Sequence, residues 1–409
     1  MEGSGGILEV ELFVGIVAIA TAVALLTRRS GLPYSVALVL VGLGIAFVVP
    51  GQRELSVTPE LILAVLLPGL VFEAAYQTDI RQLRATLGPV LVLAAPGVAI
   101  TAGIVAIVVS ATTGLDLGLA FVLGAIISAT DPAAVIAIFK QLGTPRRLST
   151  TVEAESLLND GTGIVLFAIA LRAISEPVGI VEGVASFVLT VGVSVGIGIV
   201  AGFAATRLIA RVDDHLIEAA ISLVAAYGTY LVADRLHESG IIATVVVGLF
   251  LGTEGKRYGM SERTREALDV VWEFIAFLLT AVTFLLVGLV ISPELLVRAA
   301  PLIAAGFVAI TLARALVVYG LLGGAERLLP GPPRLPTGYL HVMFWSGLRG
   351  AVAIALALSL PVGLADRDLV TGAVYGIVLI SLLVQGTTVA LVVRRAGVLE
   401  QPGGPGPSA

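Results

Sequence analysis

The sequence contains no cysteine and only three histidines among its 409 residues. Without cysteine there can be no disulfide, thiolate metal site or cysteine nucleophile. The scattered His215, His237 and His341 argue against a histidine-rich metal site. Charge is also scarce, because 13% of the residues are charged, whereas soluble proteins carry about 25%. No basic stripe is present, so nucleic acid is not an expected partner.

The low proportion of charged residues is matched by a high proportion of apolar ones. Hydrophobic residues make up 57% of the chain, the mean hydropathy is +1.05, and 47 Gly and 19 Pro interrupt the apolar runs. A bilayer core requires about 20 apolar residues per helix. The candidate spans are 7–27, 33–50, 58–77, 86–110, 115–139, 149–174, 180–210, 215–234, 239–253, 266–291, 295–324, 337–360 and 369–393. We therefore predict an all-α polytopic membrane protein with about 13 transmembrane helices.

The basic residues predict how the chain is oriented. Of the 24 Lys and Arg residues, seventeen fall in the loops and helix ends of one side and five in those of the other, while Arg314 and Arg349 lie within apolar runs. Cytoplasmic loops carry the excess of basic residues. The expected location is the plasma membrane, with the N-terminus outside and the C-terminus in the cytoplasm. The Gly/Pro-rich residues 396–409 are predicted to form a disordered tail.

Two of the predicted helices are interrupted. The fifth run breaks at Thr130-Asp131-Pro132, where the proline lacks an N–H group and ends a helix. The twelfth run breaks at residues 346–350, where Gly347 and Gly350 flank Arg349. The breaks lie seven crossings apart, so equivalent segments would run in opposite directions, as an inverted repeat with broken helices crossing at the midplane predicts. The alternative is that the glycines only permit close helix packing.

Polar residues four apart share one face of the sixth predicted helix: Glu155 with Asn159, and Ser156 with Asp160. An ionised carboxylate is costly in hydrocarbon, so acids within a membrane usually face a cavity and serve a function. Carboxylates bind hard cations and also take up protons. We predict a small-cation site in which Asp160 and Asp131 are direct ligands, with oxygens added by Ser156 and by the backbone at Thr130.

Each of these ligands has an alternative role. Asp131 could cap the helix that starts beside Pro132, a role compatible with coordination, and Asp160 could pair with an arginine. Ser156 and Thr130 could be ordinary helix-packing residues.

Three further charged residues lie within apolar runs. Glu155 is predicted to pair with Arg349, because a buried arginine cannot shed its charge. Arg314 has no obvious partner in the sequence. Glu73 is predicted to line the ion pathway or to hold a water beside the ion, with an interfacial role as the alternative.

Three segments together resemble the signature of a known family. Thr130-Asp131-Pro132, residues 155–161 (ESLLNDG) and residues 347–351 (GLRGA) resemble those of NhaP-type sodium/proton antiporters. These belong to the monovalent cation:proton antiporter-1 family, which also contains the animal sodium/proton exchangers. The resemblance covers about residues 7–395.

The resemblance implies a division of this transmembrane unit of residues 1–395. A core bundle that contains the crossed broken helices would comprise roughly 86–174 and 295–393. A dimerisation part would comprise roughly 7–77 and 180–291. The implied assembly is therefore a homodimer.

The resemblance also implies a function. The protein would be a secondary active transporter, not an enzyme, that exchanges Na⁺ for H⁺ by alternating access, without a cofactor, and so serves sodium transport and pH homeostasis. Li⁺ or K⁺ are alternative cations. The family's Na⁺ ligands correspond to Asp160, Asp131, Ser156 and Thr130, with Asn159 as their neighbour.

Two further roles and a stoichiometry are implied. Glu155 and Arg349 correspond to a buried ion pair, and Glu73 to an acid that reaches the ion through water. Related electrogenic antiporters carry two acids at the Asn159-Asp160 pair, so Asn159 implies electroneutral one-for-one exchange.

Other classes of protein also place acids within the membrane. An intramembrane aspartyl protease would share one proton between Asp131 and Asp160. However, Asp160-Gly161-Thr162-Gly163 is not the protease Gly-x-Gly-Asp arrangement, and no tyrosine precedes Asp131. A passive cation channel usually builds a ring around a symmetric pore, whereas both breaks lie in one chain. A K⁺/H⁺ antiporter of the same fold stays open, because carboxylate and hydroxyl oxygens suit both cations.

Overall fold

The computed structural model describes residues 3–30, 32–48, 58–176, 178–212, 214–324 and 335–399, and within the first of these ranges it describes the side chains of 14–27. Most of the described residues are helical, and none of them forms a strand. Residues 400–409 of the predicted disordered tail lie outside the described residues. The same is true of Arg53, Arg327 and Arg334, three of the basic residues on which the predicted orientation depends.

The helices are, in chain order, α1 (Gly3–Ser30), α2 (Tyr34–Val48), α3 (Leu61–Gln77), α4 (Ile80–Thr113), α5 (Leu117–Ser128), α6 (Ala133–Leu142), α7 (Arg146–Ser175), α8 (Ile180–Ile209), α9 (His215–Arg235), α10 (Gly240–Phe250, continued by a π-helical stretch Leu251–Gly259), α11 (Glu262–Val290), α12 (Pro293–Arg298), α13 (Ala300–Leu322), α14 (Thr337–Trp345), α15 (Ala351–Leu358) and α16 (Arg367–Arg395).

All thirteen predicted spans coincide with one of these helices or with a pair of them. Within the described residues, eight of these spans, one of them formed by α5 and α6 together, are long and apolar enough to cross a membrane, so the predicted all-α polytopic fold is confirmed. The main difference lies at helix starts: α4 begins at Ile80 rather than near residue 86. The physical reason is a cap, because the Asp79 carboxylate accepts hydrogen bonds from the N–H groups of Arg81 and Gln82 and so starts the helix before the apolar run.

The two predicted interruptions are present and lie against each other. Residues 129–132 separate α5 from α6, and residues 346–350 separate α14 from α15. The N–H group of Asp131 in the first break donates to the carbonyl oxygen of Leu348 in the second, at 2.7 Å. Backbone groups that a broken helix frees must find partners inside the protein when no water is near. A Cβ atom on Gly350 would collide with Oδ2 of Asp131, so only glycine permits this close approach.

Helices pack around the crossing in two groups. In one group, α4 packs on α5 and α13, α7 packs on α4 and α5, and α13 packs on α16. In the other, α2 packs on α11, and α10 packs on α3, α8 and α9. The α2–α11 contact is especially close, because a Cβ atom on Gly288 would collide with the carbonyl oxygen of Val39. The crossing therefore lies in the first group, and α3 borders it from the second through its contact with α7.

Candidate cation site

The break between α5 and α6 is fastened to the polar face of α7. The Thr130 N–H donates to Oδ1 of Asn159 at 2.9 Å, and Nδ2 of Asn159 donates to Oγ1 of Thr130 at 2.9 Å. Oγ1 of Thr130 in turn donates to Oγ of Ser156 at 3.2 Å, and the Ser156 hydroxyl donates to the Thr130 carbonyl oxygen. Ser156 and Asn159 therefore face the break together, as their spacing on one helix face predicts.

Asn159 is held in one orientation by groups whose roles are fixed. The Thr130 N–H can only donate, and the Glu155 carboxylate, which takes a hydrogen bond from Nδ2 at 3.2 Å, acts as an acceptor. The amide oxygen must then face Thr130, and the amide nitrogen must face Glu155. Asn159 thus uses both ends of its amide to position the break.

Two carboxylates lie beside this network. Asp160 is 8% exposed, and within the described chain its Oδ1 atom is buried without a hydrogen-bond partner. The carboxyl groups of Asp131 and Glu155 lie close enough to Asp160 for the three to interact electrostatically. Asp131 is partly buried, and its Oδ1 accepts a hydrogen bond from the Ala133 N–H at 2.9 Å. Asp131 therefore does cap α6, which leaves its second oxygen, Oδ2, facing the other break.

The partner predicted for Glu155 was wrong. Glu155 forms a two-pronged ion pair with Arg314, in which Nη1 lies 2.6 Å from Oε1 and Nη2 lies 2.8 Å from Oε2. Both side chains are buried, at 1% exposure for Glu155 and 7% for Arg314. Nη2 of Arg314 also donates to the carbonyl oxygen of Met343, at the end of α14. The fork of guanidinium donors matches the two carboxylate oxygens, which gives the paired geometry seen here.

Arg349, the predicted partner, forms its side-chain hydrogen bonds with backbone carbonyl groups instead. Its Nη1 atom donates to the carbonyl oxygens of Ser128 and Ala129, at 2.6 and 3.1 Å. These carbonyls are freed because α5 ends at Ser128 and leaves its last oxygens without intrahelical partners. Among the ion pairs of the described residues, none joins Arg349 to Glu155. The Arg349 side chain therefore reaches from the second break to the C-terminal end of α5.

Glu73 lies in a second charged group. It is partly buried on α3, and the charges that act on it come from Glu153, Lys140, Glu273 and Asp269. Asp269 itself pairs with Lys256 at 3.0 Å. The role predicted for Glu73, contact with the ion through water, stays a prediction.

Arg314 was the functional residue that sequence reasoning left without a role. The sequence does indicate that Arg314 has a partner, because a lone arginine within an apolar run requires one. The sequence did not show which acid would provide one.

The arrangement brings four oxygen-bearing groups to one place: two carboxylates, a hydroxyl and a backbone carbonyl. Such oxygens suit hard, small cations. A buried carboxylate also favours either a proton or a bound cation, because its bare charge is costly away from water. The crossing can therefore hold a cation or a proton.

Broken helices that meet inside a bundle of membrane spans, with acids at the crossing, are typical of secondary transporters. Residues 15–395 match the family model described as the sodium/hydrogen exchanger, transmembrane. The chain belongs to this sodium/hydrogen exchanger family, as its motifs predicted. It is thus a multi-pass membrane transporter rather than an enzyme, and the aspartyl protease alternative is excluded by the family.

Individual relatives agree. The chain is 40% identical over 397 residues to the Na⁺/H⁺ antiporter ApNhaP of Aphanothece halophytica, covering 96% of this chain and 75% of that protein. It is 36% identical over 347 residues to the Na⁺/H⁺ antiporter NhaP of Pseudomonas aeruginosa, covering 82% and 81%. The solved structure of the sodium proton antiporter MjNhaP1 from Methanocaldococcus jannaschii superposes with a TM-score of 0.80, over 95% of this chain and 99% of that one, at 20% identity. The fold is therefore shared.

Proposed function

We propose that the protein exchanges Na⁺ for H⁺ across the membrane by alternating access, one for one. The observation that carries this proposal is Asp160, a buried carboxylate at the crossing of the broken helices whose Oδ1 has no hydrogen-bond partner among the described residues. The relatives named above are Na⁺/H⁺ antiporters, which favours Na⁺ over the K⁺ alternative. The transported ions are the only ligands that this reaction requires.

In the proposed site, Na⁺ binds the carboxylates of Asp160 and Asp131, the hydroxyl oxygen of Ser156 and the carbonyl oxygen of Thr130. The Ser156 hydroxyl donates to that carbonyl in the structure, so the two oxygens are already adjacent. When Na⁺ enters, the hydroxyl hydrogen turns away and both oxygens offer lone pairs to the cation. Asp160 releases its proton at the same step. Asn159 holds Thr130 in place, because its amide oxygen accepts from the Thr130 N–H and its amide nitrogen donates to Thr130 and Glu155.

The proposed exchange is electroneutral because the other charges near the site are balanced or do not change. Arg314 neutralises Glu155 through two hydrogen bonds. Asn159 is uncharged, and Arg349 keeps its proton while it is held on two carbonyl oxygens. Replacing one H⁺ by one Na⁺ at Asp160 then leaves the net charge of the loaded carrier unchanged.

The wider organisation is also proposed. A core bundle of roughly 86–174 and 295–393 carries the site and moves against a dimerisation part of roughly 7–77 and 180–291. This proposal is supported by the two groups in which the helices pack. The expected location remains the plasma membrane with the N-terminus outside, and Glu73 lies on the route to the ion.

The test of the exchange is proton movement in proteoliposomes. Purified protein is reconstituted with an acid interior, and the recovery of a pH-sensitive dye is followed on addition of Na⁺, Li⁺ or K⁺. The expected result is Na⁺-driven recovery in the native protein and none in folded Asp160→Asn. The matched control is Asp116→Asn, an exposed cap at the far end of α5, which should keep activity. Exchange that survives in folded Asp160→Asn, or that K⁺ drives better than Na⁺, would contradict the proposal.

Electroneutrality is tested separately in the same vesicles. Valinomycin and K⁺ clamp the membrane potential at different values while Na⁺ is the transported ion. The rate should not change with the imposed potential. A rate that follows the potential would overturn the one-for-one assignment while leaving Na⁺/H⁺ exchange intact.

The absence of cysteine provides a clean test of the dimer. Val188 on α8 is 63% exposed, and α8 is the least covered of the long spans. In a homodimer that uses this helix, Val188→Cys should give a disulfide-linked dimer in membranes under oxidation. Ile107→Cys on α4, which is similarly exposed at 65%, should not. A cross-link that forms at Ile107→Cys but not at Val188→Cys would contradict a dimer through α8.

A further inference from the structure

A chain of hydrogen bonds connects α16 to the second break. The Ser381 hydroxyl donates to Oε1 of Gln385 at 2.9 Å, and its oxygen accepts a hydrogen bond from the backbone N–H of Arg349 at 3.0 Å. All three residues are buried, at 1% exposure for Ser381, 6% for Gln385 and 3% for Arg349. Because the hydroxyl hydrogen is committed to Gln385, the serine lone pair must face Arg349.

The contact with Ser381 provides a hydrogen-bond acceptor for the backbone N–H of Arg349, which the break leaves without a helical partner. The N–H of Arg349 lies between α14 and α15, where no helical carbonyl is available to accept it. A buried N–H without an acceptor is strongly disfavoured. Ser381 and Gln385 bound a π-helical turn of α16, and such turns are frequent at functional sites. The turn therefore supplies the acceptor that the break requires.

Leu348 and Arg349 also form hydrogen bonds with the first break, so the position of the second break affects the position of the first. The Leu348 carbonyl accepts from the Asp131 N–H, and Nη1 of Arg349 donates to the carbonyls of Ser128 and Ala129. Three contacts thus hold the segment 128–131, which carries the Thr130 carbonyl and the Asp131 carboxylate. A cavity beside Arg349, lined also by Ser381, Gln385 and Arg314, measures about 10 Å³. This is room for about one water, so the arginine cannot move far within it.

We propose that Ser381 and Gln385 are positioning residues for the cation site. They fix the backbone of Arg349, and through Arg349 they set the distance between the Thr130 carbonyl, the Asp131 carboxylate and the ion. Neither side chain binds the ion. The inference rests on the proposed function, because a displaced segment 128–131 affects transport only if its oxygens are ligands.

The test separates Na⁺ affinity from turnover in reconstituted vesicles. Ser381→Ala removes the acceptor of the Arg349 N–H, and Gln385→Met removes the group that orients the hydroxyl while keeping the side-chain length. Each should raise the KM for Na⁺ at least about fivefold, while the maximal rate per folded protein stays within about twofold. Ser381→Thr retains the hydroxyl and should restore the native KM. If Ser381→Ala fails to fold, Ser381→Cys keeps the size with a weaker acceptor and should raise KM in the same direction.

The matched control is Thr388→Val. Nε1 of Trp345 donates to Oγ1 of Thr388 at 2.8 Å, so this variant also removes a contact between α16 and α14, but one that does not reach Arg349. Its KM should stay native. The inference is overturned if KM is unchanged in Ser381→Ala and Gln385→Met, if only the maximal rate falls, or if Thr388→Val raises KM equally. Failure of the proposed function would appear differently, as native protein without Na⁺-dependent proton movement.

Discussion

Breaking the ion pair between Glu155 and Arg314 should destabilise the protein more than any substitution of an exposed charge. In Arg314→Met the apolar stem is retained, but the Glu155 carboxylate, at 1% exposure, loses both guanidinium hydrogen bonds. The amide of Asn159 then remains as its hydrogen-bond donor, at 3.2 Å. Truncating one partner of a buried pair costs about 3–5 kcal/mol, because the other charge is left uncompensated.

The double variant should recover much of this loss. Glu155→Gln with Arg314→Met removes both charges, and the new amide can still accept a hydrogen bond from Asn159. We expect a coupling free energy of at least about 2 kcal/mol between positions 155 and 314, within the range for residues in direct contact. The same cycle between Glu155 and Arg349 should give a clearly smaller value, because these two side chains form no ion pair in the described structure.

The assay is reversible unfolding in mixed detergent micelles, with the native protein, each single variant and each double variant measured under one condition. Arg172→Met, which removes an ion pair with Glu182 between side chains about half exposed, is the control and should cost about 1 kcal/mol or less. Additive losses at 155 and 314, or stronger coupling of Glu155 to Arg349, would refute the reasoning.

Three further outcomes are expected. Gly350→Ala should abolish Na⁺ binding, measured by calorimetry, in a folded protein, because the added Cβ collides with Asp131. The control variant Gly363→Ala, whose added Cβ meets no atom within 4 Å, should bind Na⁺ normally. Asn159→Asp should slow exchange in proteoliposomes more than about tenfold, since a carboxylate cannot donate to Glu155 and repels it; a near-native rate would contradict this. Below the pH at which the site is half protonated, the KM for Na⁺ should rise about tenfold per pH unit of acidification if one proton competes with each cation, and a KM independent of pH in that range would show that they use different groups.

The helices and their breaks could be predicted from the sequence because their causes are local. Span length follows from apolar runs, and the interruptions follow from Pro132 and from the glycines around Arg349. The shared face of Ser156 and Asn159 follows from helix period alone. Helix starts were less accurate, because a cap such as Asp79 acts before the apolar run begins.

The partners of the buried arginines could not be predicted, because they depend on how distant helices cross. Glu155 and Arg314 are 159 positions apart, and the sequence offered two arginines for one acid. The motif that contains Arg349 favoured Arg349 as the partner of Glu155. The sequence does not reveal that the backbone carbonyls at the end of α5 accept hydrogen bonds from Arg349 instead. Ser381 and Gln385 gave no signal, because both residue types are common on helices without a functional role.

The central claim is that Na⁺ displaces one proton from Asp160, and proton counting tests it directly. Na⁺ is titrated into purified protein by calorimetry in buffers of different ionisation enthalpy, and the slope of the observed heat against that enthalpy gives the protons released per ion. Above the pH at which the site is half protonated the count should fall towards zero; below it the count should approach one, and Asp160→Asn should release none. Na⁺ binding without proton release in the native protein at low pH, or unchanged release in folded Asp160→Asn, would contradict the account.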